Sequence, residues 1–273
     1  MLRASSAPRA SDACVVFPDC RRECVKFDHR RSFAGKRSAG NPLVHRQKGT
    51  SPNDVAALER ILNDNHFDFA TADSNQFNQL SESQFAAHRL LIVPGGNFED
   101  IGNGLTATTA SNIRKAVRGG LNYLGICAGA FFAGSSPYNG LNLTEGVSFK
   151  FYALENRNIR KAAVRIEIAG SVTLDHYWED GPQLTGWGDV VAKYPDGTPA
   201  IVQGTTGDGW VVLSGVHPGA GWLAQRTDFQ HTSAGRQCLC SDPHWRCAAP
   251  DAARSLLKTL TLAEWTNDRA ATG

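Results

Sequence analysis

The sequence contains no long hydrophobic run, no internal repeat and no low-complexity tract. Without a run of about 20 apolar residues, we expect no membrane-spanning helix. The N-terminal region also lacks the continuous apolar segment of a secretory signal peptide. The seven cysteines are an odd number, which with the missing signal predicts a reducing compartment rather than a disulfide framework. We therefore expect a cytoplasmic protein.

The net charge is small, at +2, but the charges are unevenly distributed. Residues 1–48 contain 11 Lys and Arg against 4 Asp and Glu, whereas residues 49–273 contain 17 against 22. This surplus, together with a lack of hydrophobic periodicity, predicts that residues 1–48 form a basic and mostly disordered arm. The arm carries no recognised nucleic-acid-binding motif, so we predict no DNA partner.

What the sequence does contain, from residue 49 onward, is an alternation of helical and buried-strand patterns. Residues 51–62 have helical spacing, with Ser51 and Asp54 as candidate capping residues. The runs "RLLIV" and "LNYLGIC" are typical of buried parallel strands, and "TASNIRKAVRGG" between them is typical of a helix. Shorter strands separated by tight turns follow residue 140.

These patterns predict an α/β fold. We expect a flavodoxin-like, mostly parallel sheet with helices on both faces, and a β-rich antiparallel extension in the second half. Residues 49–218 form this predicted domain. Residues 219–273 are predicted to form an irregular, cysteine-containing tail with a terminal helix.

A lone cysteine follows the second buried strand, within Gly125-Ile-Cys127-Ala-Gly129. Glycine weakens the interior of a strand or a helix, so two glycines around a cysteine need a reason. A nucleophile elbow supplies one, because the nucleophile sits on a tight strand-to-helix turn that tolerates only small neighbours. Cys127 is then the nucleophile, and the N–H of Ala128 faces the oxygen of an attacked carbonyl. The alternative is a thiol packed in the core.

Two further segments complete a candidate site. The Pro-Gly-Gly loop at Gly95 and Gly96 ends the neighbouring strand and offers N–H groups to an oxyanion. His217 follows an apolar strand and is the histidine best placed to act as the base for Cys127. Taken singly, the loop is an ordinary turn and His217 an ordinary surface residue. Their order along the chain favours a catalytic site.

Two other groups of polar residues are weaker candidates. Asp175, Glu179 and Asp180 either line the mouth of the site or form a solvated turn. The segment 238–247 contains Cys238, Cys240, His244 and Cys247, but its spacing differs from standard zinc sites. We therefore predict no bound metal and no cofactor.

The segments "LLIVPGGNFEDIG", "AVRGGLNYLGICAGAFFAG", "YWEDGP" and "GVHP" resemble the class I glutamine amidotransferase-like fold. More narrowly, they resemble the N-terminal domain of biotin–protein ligases and its free-standing relatives, over residues 49–218. The resemblance implies a Cys–His–Glu triad with Cys127 as nucleophile and His217 as base. It also implies that the Pro-Gly-Gly loop and Ala128 donate to the oxyanion. The sequence shows no biotin ligase catalytic domain, so we do not predict biotin transfer.

The sequence departs from the family pattern at two points. The acidic residue expected after the His-Pro pair is replaced by Gly219, so the imidazole is expected to be poorly oriented unless another acid takes its place. The family also begins with a buried strand, and the segment "PLVHRQK" in that place is too short and too polar to predict one.

Three functions stay open on this basis. The first is a cysteine amidotransferase-like or amidohydrolase-like enzyme acting on a small-molecule amide, with Cys127 as an exposed and reactive thiol but a catalyst weakened by Gly219. The second is a catalytically inactive binding module of the same fold. The third is a nucleic-acid or membrane tether that works through the basic arm. The sequence predicts neither the substrate nor the oligomeric state.

Overall fold

The computed structural model describes residues 40–46, 49–168 and 173–217. The strands are β1 (Leu43–His45), β2 (Ala70–Ala72), β3 (Leu90–Val93), β4 (Asn122–Ile126), β5 (Lys150–Phe151), β6 (Lys161–Ile168), β7 (Thr173–Glu179), β8 (Pro182–Gln183), β9 (Asp189–Lys193), β10 (Pro199–Thr206) and β11 (Gly209–Ser214). The α-helices are α1 (Pro52–Asp64), α2 (Ser74–Phe77), α3 (Glu82–Ala86), α4 (Phe98–Asn103), α5 (Ala107–Arg118) and α6 (Ala128–Ala133), and a short 3-10 helix spans Glu155–Arg157.

Nine of these strands form one sheet in the order β2-β1-β3-β4-β11-β10-β9-β6-β7. The first five strands in this order pair in parallel, and their order is that of a flavodoxin-like fold. From β11 onward every neighbouring pair is antiparallel. The predicted fold class is therefore confirmed, as is the pairing of "RLLIV" with "LNYLGIC", which form β3 and β4.

The two faces of the sheet bury two separate hydrophobic clusters. Along β3, Leu91 and Val93 belong to one cluster with residues of α5 and α6, whereas Leu90 and Ile92 belong to the other with residues of α1. Successive side chains of a strand point to opposite faces, so a strand covered by helices on both sides is apolar at every position. Helices therefore cover both faces of the parallel half, as the continuous apolar runs predict.

One expectation about the first strand is wrong. The segment "PLVHRQK" contains β1, which lies between β2 and β3 and pairs with both in parallel. Leu43, Val44 and His45 are all buried, and the His45 ring packs edge-on against Phe77 with centroids 4.5 Å apart. A strand of three residues with a histidine gives almost no sequence signal, because its burial depends on distant partners. The boundary of the domain therefore lies before residue 49.

Most of the expectations about the two ends of the chain fall on residues that the structure does not describe. Apart from residues 40–46, the predicted basic arm lies outside the described residues, and so do the predicted tail from residue 219 and the cysteine segment 238–247. Among the helices described, none has the length and apolar character that crossing a membrane requires. The cytoplasmic location stays a prediction.

Candidate active site at the carboxyl ends of the parallel strands

Cys127 occupies a strained turn between β4 and α6. Its backbone has φ 50° and ψ −103°, a conformation that costs a residue with a side chain about 1–3 kcal/mol. Its N–H donates to the Ser214 carbonyl at 2.7 Å, which ties the turn to the end of β11. A β-carbon at Gly125 would lie 2.5 Å from the Gly129 carbonyl oxygen, and one at Gly129 would lie 2.0 Å from the Val93 carbonyl oxygen. Close backbone packing thus requires both glycines.

His217 lies three residues after the end of β11, beside the Cys127 turn. Its N–H donates to the Tyr177 carbonyl at 2.8 Å, and its ring lies 5.3 Å from the Tyr177 ring. Nδ1 of His217 lies 2.8 Å from Oδ2 of Asp54, and both side chains are buried. The imidazole therefore does have a carboxylate partner. Asp54 is thus an acid in the place left open by Gly219, which itself lies outside the described residues.

Asp54 reaches this position from the first turn of α1. Ser51 caps the helix by accepting a hydrogen bond from the Asp54 N–H at 3.3 Å. In a capping box the side chain at the Asp54 position would turn back to the cap residue, whereas here it points to His217. The sequence does carry a signal of this role. Asp54 lies one turn before Leu58 on the apolar stripe of α1, where a carboxylate is unexpected.

Asp54 and Cys127 together change the pKa of His217. Burial by itself lowers the pKa of His217, but the Asp54 carboxylate and the Cys127 sulfur outweigh it and raise the pKa well above 6.5. His217 thus holds a proton more readily than an ordinary histidine. A carboxylate on Nδ1 also fixes the orientation of the ring and leaves Nε2 as the working nitrogen.

The Cys127 sulfur and the working nitrogen of His217 are close together. Cys127 is near enough for its charge to raise the pKa of His217, yet within the described residues Nε2 is buried without a hydrogen-bond partner. The Cys127 sulfur instead donates to the Glu179 carbonyl at 3.3 Å. Cys127 is 4% exposed, so the expectation of an exposed thiol is wrong for this conformation.

The residues predicted to form an oxyanion hole lie on the loop after β3 and at the start of α6. The Gly95 carbonyl accepts from the Ser51 N–H at 2.7 Å, and Gly96, at φ 145°, forms a bridge with Thr50. Ala128 is the first residue of α6. These contacts anchor the Pro-Gly-Gly loop to the chain entering α1. The role of Gly95, Gly96 and Ala128 as oxyanion donors stays a prediction.

The acidic residues of the second half lie along β7 and the turn that follows it. Asp175 is buried and pairs with Arg165 at 3.5 Å, which makes it part of the β6–β7 hairpin. Glu179 accepts a hydrogen bond from the Tyr177 hydroxyl and pairs with Lys161 at 2.7 Å. No group of three or more metal-ligating side chains comes together in the described ranges.

Comparisons with known proteins agree with this architecture. Residues 40–139 match the family model described as the N-terminal domain of biotin-protein ligase. The match includes Cys127 and the Pro-Gly-Gly loop and ends before His217. A search of curated proteins finds no match to the sequence.

Solved structures supply the comparison for the whole domain. A crystal structure of a glutamine amidotransferase matches with a TM-score of 0.53 at 20% identity, covering 66% of this chain and 92% of that one. An exo-beta-1,4-mannosidase from an Opitutaceae bacterium matches at 0.44 and 11% identity, over 68% of this chain and 33% of the other. A putative ThuA-like protein from Bacteroides uniformis matches at 0.43 and 10% identity, over 67% and 84%. Residues 40–139 are thus similar to the biotin-protein ligase N-terminal family, and the domain has a glutamine amidotransferase-like fold.

Proposed function

We propose that this protein is a cysteine-dependent amidohydrolase or amidotransferase-like enzyme that cleaves the C–N bond of a small-molecule amide. One observation carries the proposal. A buried His217–Asp54 pair lies beside a cysteine held in a strained strand-to-helix turn. A nucleophile, a base and a residue that orients the base are the three parts that nucleophilic catalysis needs.

The chemistry follows from the protonation of the pair. Because the pKa of His217 is raised, the reactive form holds the proton on the imidazole and leaves Cys127 as a thiolate. The thiolate attacks the amide carbonyl, and Nε2 gives its proton to the leaving nitrogen. Ammonia or an amine departs and a thioester remains on Cys127. Water, deprotonated by His217, then attacks the thioester and releases the acid and the free thiol.

Asp54 makes the first of the three hypotheses stronger than it was from the sequence. The poor orientation of the imidazole was the main argument for a weakened enzyme, and the 2.8 Å contact removes that argument. The inactive binding module is still favoured by one observation, the burial of the Cys127 thiol. The tether hypothesis concerns the arm, most of which lies outside the described residues, and it stays a prediction.

Ammonia release separates the enzyme from the binding module. The assay offers L-glutamine and a panel of other primary amides to the full-length protein. We expect release that disappears in Cys127→Ala and falls strongly in His217→Asn. Cys238→Ala, which removes a different thiol, serves as the control and is expected to keep the activity. Release at an equal rate from Cys127→Ala would rule out the proposed nucleophile, and a folded wild type inert to every amide would favour the binding module.

A further inference from the structure

The Cys127 thiol is held in an arrangement that does not support attack. The Cys127 sulfur lies 3.3 Å from the Glu179 carbonyl oxygen, an acceptor that stabilises a thiol and repels a thiolate. His217 Nε2 is meanwhile buried without a hydrogen-bond partner in the part of the chain that the structure describes. The Glu179 carbonyl therefore contacts the nucleophile directly, while Cys127 also lies close enough to His217 to raise its pKa.

The turn that supplies this carbonyl, residues 179–181, fits closely against both sides of the site. Asp180 has φ 44°, a left-handed conformation that turns the chain sharply after β7. A β-carbon at Gly181 would lie 1.9 Å from the carbonyl oxygen of Gly215, two residues before His217. The turn thus contacts the nucleophile through Glu179 and the segment leading to His217 through Gly181.

Solvent-exposed cations hold the turn in place. Lys161 Nζ lies 2.7 Å from a Glu179 carboxylate oxygen, and Arg160 lies 3.4 Å from Asp180. The Tyr177 hydroxyl also donates to Glu179. Burial, followed by this hydrogen bond, raises the pKa of Tyr177, so the hydroxyl stays protonated and remains a donor. The two ion pairs are the contacts that a ligand or salt can reach.

We propose that the 179–181 turn is a latch that keeps Cys127 as an unreactive thiol until the turn is displaced from the sulfur. The proposal rests on the proposed function, because it describes how the same nucleophile is held at rest. Displacing the turn removes the carbonyl acceptor from the sulfur. The Sγ proton is then lost to solvent, and the resulting thiolate is stabilised by the protonated His217 beside it. A ligand that competes for Lys161 or Arg160 favours the displaced state.

The test measures the rate at which iodoacetamide alkylates Cys127 in the folded full-length protein, read from the mass of the peptide containing Cys127. The thiolate is the reactive form, so the rate reports the displaced state. The variant Arg160→Ala/Lys161→Ala removes both ion pairs. An exposed ion pair shifts an equilibrium by up to about fivefold, so the double variant is expected to react about tenfold faster than wild type. Lys193→Ala, which removes a lysine from β9 in the same extension, is the matched control and is expected to react like wild type.

Salt provides a second measurement that needs no variant. Raising the NaCl concentration from about 0.02 M to about 0.5 M screens exposed ion pairs and is expected to accelerate labelling of the wild type severalfold. The double variant, which lacks the pairs, is expected to show little salt dependence. Equal rates in wild type and double variant, or a wild-type Cys127 that already reacts like free cysteine, would overturn the latch.

These outcomes are separate from the outcome for the proposed function. If the variants change the labelling rate while no amide is cleaved, the latch stands and the amidase does not. If Cys127 supports ammonia release while labelling is the same in all variants and at all salt concentrations, the amidase stands and the latch does not.

Discussion

At Gly95 the chain has no room for a β-carbon. Such an atom would lie 2.2 Å from the Asp54 Oδ2 and 2.5 Å from the His217 Cε1, the two groups that form the buried pair. The predicted role of Gly95 was to offer its N–H to an oxyanion. The structure adds a second reason for glycine, which is the close approach of the loop to the pair. A Pro-Gly-Gly sequence cannot show that reason, because both partners are remote in sequence.

Gly95→Ala is expected to separate the pair and to destabilise the protein by about 1–3 kcal/mol, because the added methyl has no space. Gly119→Ala is the matched control, since its β-carbon would meet only backbone oxygens at 3.4 Å and 3.5 Å. Urea unfolding of both variants measures the difference. Equal free energies of unfolding for Gly95→Ala and wild type would contradict the packing described here.

Asp54→Asn is expected to lower the pKa of His217, because the carboxylate that opposes the effect of burial is removed. Loss of the orienting carboxylate in a serine triad reduces turnover about 10⁴-fold, and we expect a loss of that order in any amidase activity. Asp64→Asn, an exposed residue at the end of the same helix, is the control. Titration of the histidine ring signals by NMR measures the pKa independently of activity. An unchanged His217 titration would show that the two side chains do not pair in solution.

At the scale of elements, β1 shows why a short strand can be central. It has three residues, yet it joins β2 to β3 in the parallel half of the sheet. Val44 in its middle is fully buried. The stability of such a strand comes from its neighbours on both sides rather than from its own composition.

Val44→Asp is expected to destabilise the domain by on the order of 4 kcal/mol or more, because it places an unpaired charge inside the sheet. Val190→Asp, on β9, is the control, since Val190 is 41% exposed and the change is expected to cost within about 0.5 kcal/mol. Urea unfolding followed by circular dichroism compares the two. A Val44→Asp protein as stable as Val190→Asp would exclude β1 from the core.

The elements that the sequence predicts are those whose signal is local. β3 and β4 are continuous apolar runs, and Gly125 and Gly129 mark the turn between β4 and α6. β1 was missed because its burial is decided by partners far away in the chain. The spacing of Asp54 from Ser51 predicts a capping residue, and only the fold brings Asp54 to His217. The closed turn over Cys127 has no sequence signature at all, since a backbone carbonyl makes the contact.

At the scale of the whole molecule, two buried histidines give stability opposite dependences on pH. His176 is buried, and burial lowers its pKa to about 4, whereas the pKa of His217 is raised. Between pH 4 and about 6.5 the unfolded chain binds more protons at His176 than the folded one, so stability rises with pH. Above about pH 6.5 the folded protein holds the proton at His217 that the unfolded chain loses, so stability falls.

The free energy of unfolding is therefore expected to be greatest near pH 6.5. Between pH 6.5 and pH 4, the loss of unfolding free energy attributable to His176 approaches about 3 kcal/mol. This loss is expected to be absent in His176→Gln. The fall in unfolding free energy above about pH 6.5 is expected to be smaller in Asp54→Asn, because His217 no longer retains its proton. Urea unfolding across the pH range measures both changes. A wild-type stability that rises steadily through pH 8 would contradict the raised pKa of His217.

The central claim is that Cys127 attacks a carbonyl carbon with His217 as its base, and covalent trapping tests it most directly. The full-length protein is incubated with an electrophilic analogue of a glutamine side chain, and peptide mass mapping locates the adduct. We predict a single adduct on Cys127 in wild type, a much slower adduct in His217→Asn and none in Cys127→Ala. An adduct that forms on Cys127 at the same rate with and without His217, or one confined to other cysteines, would contradict the account.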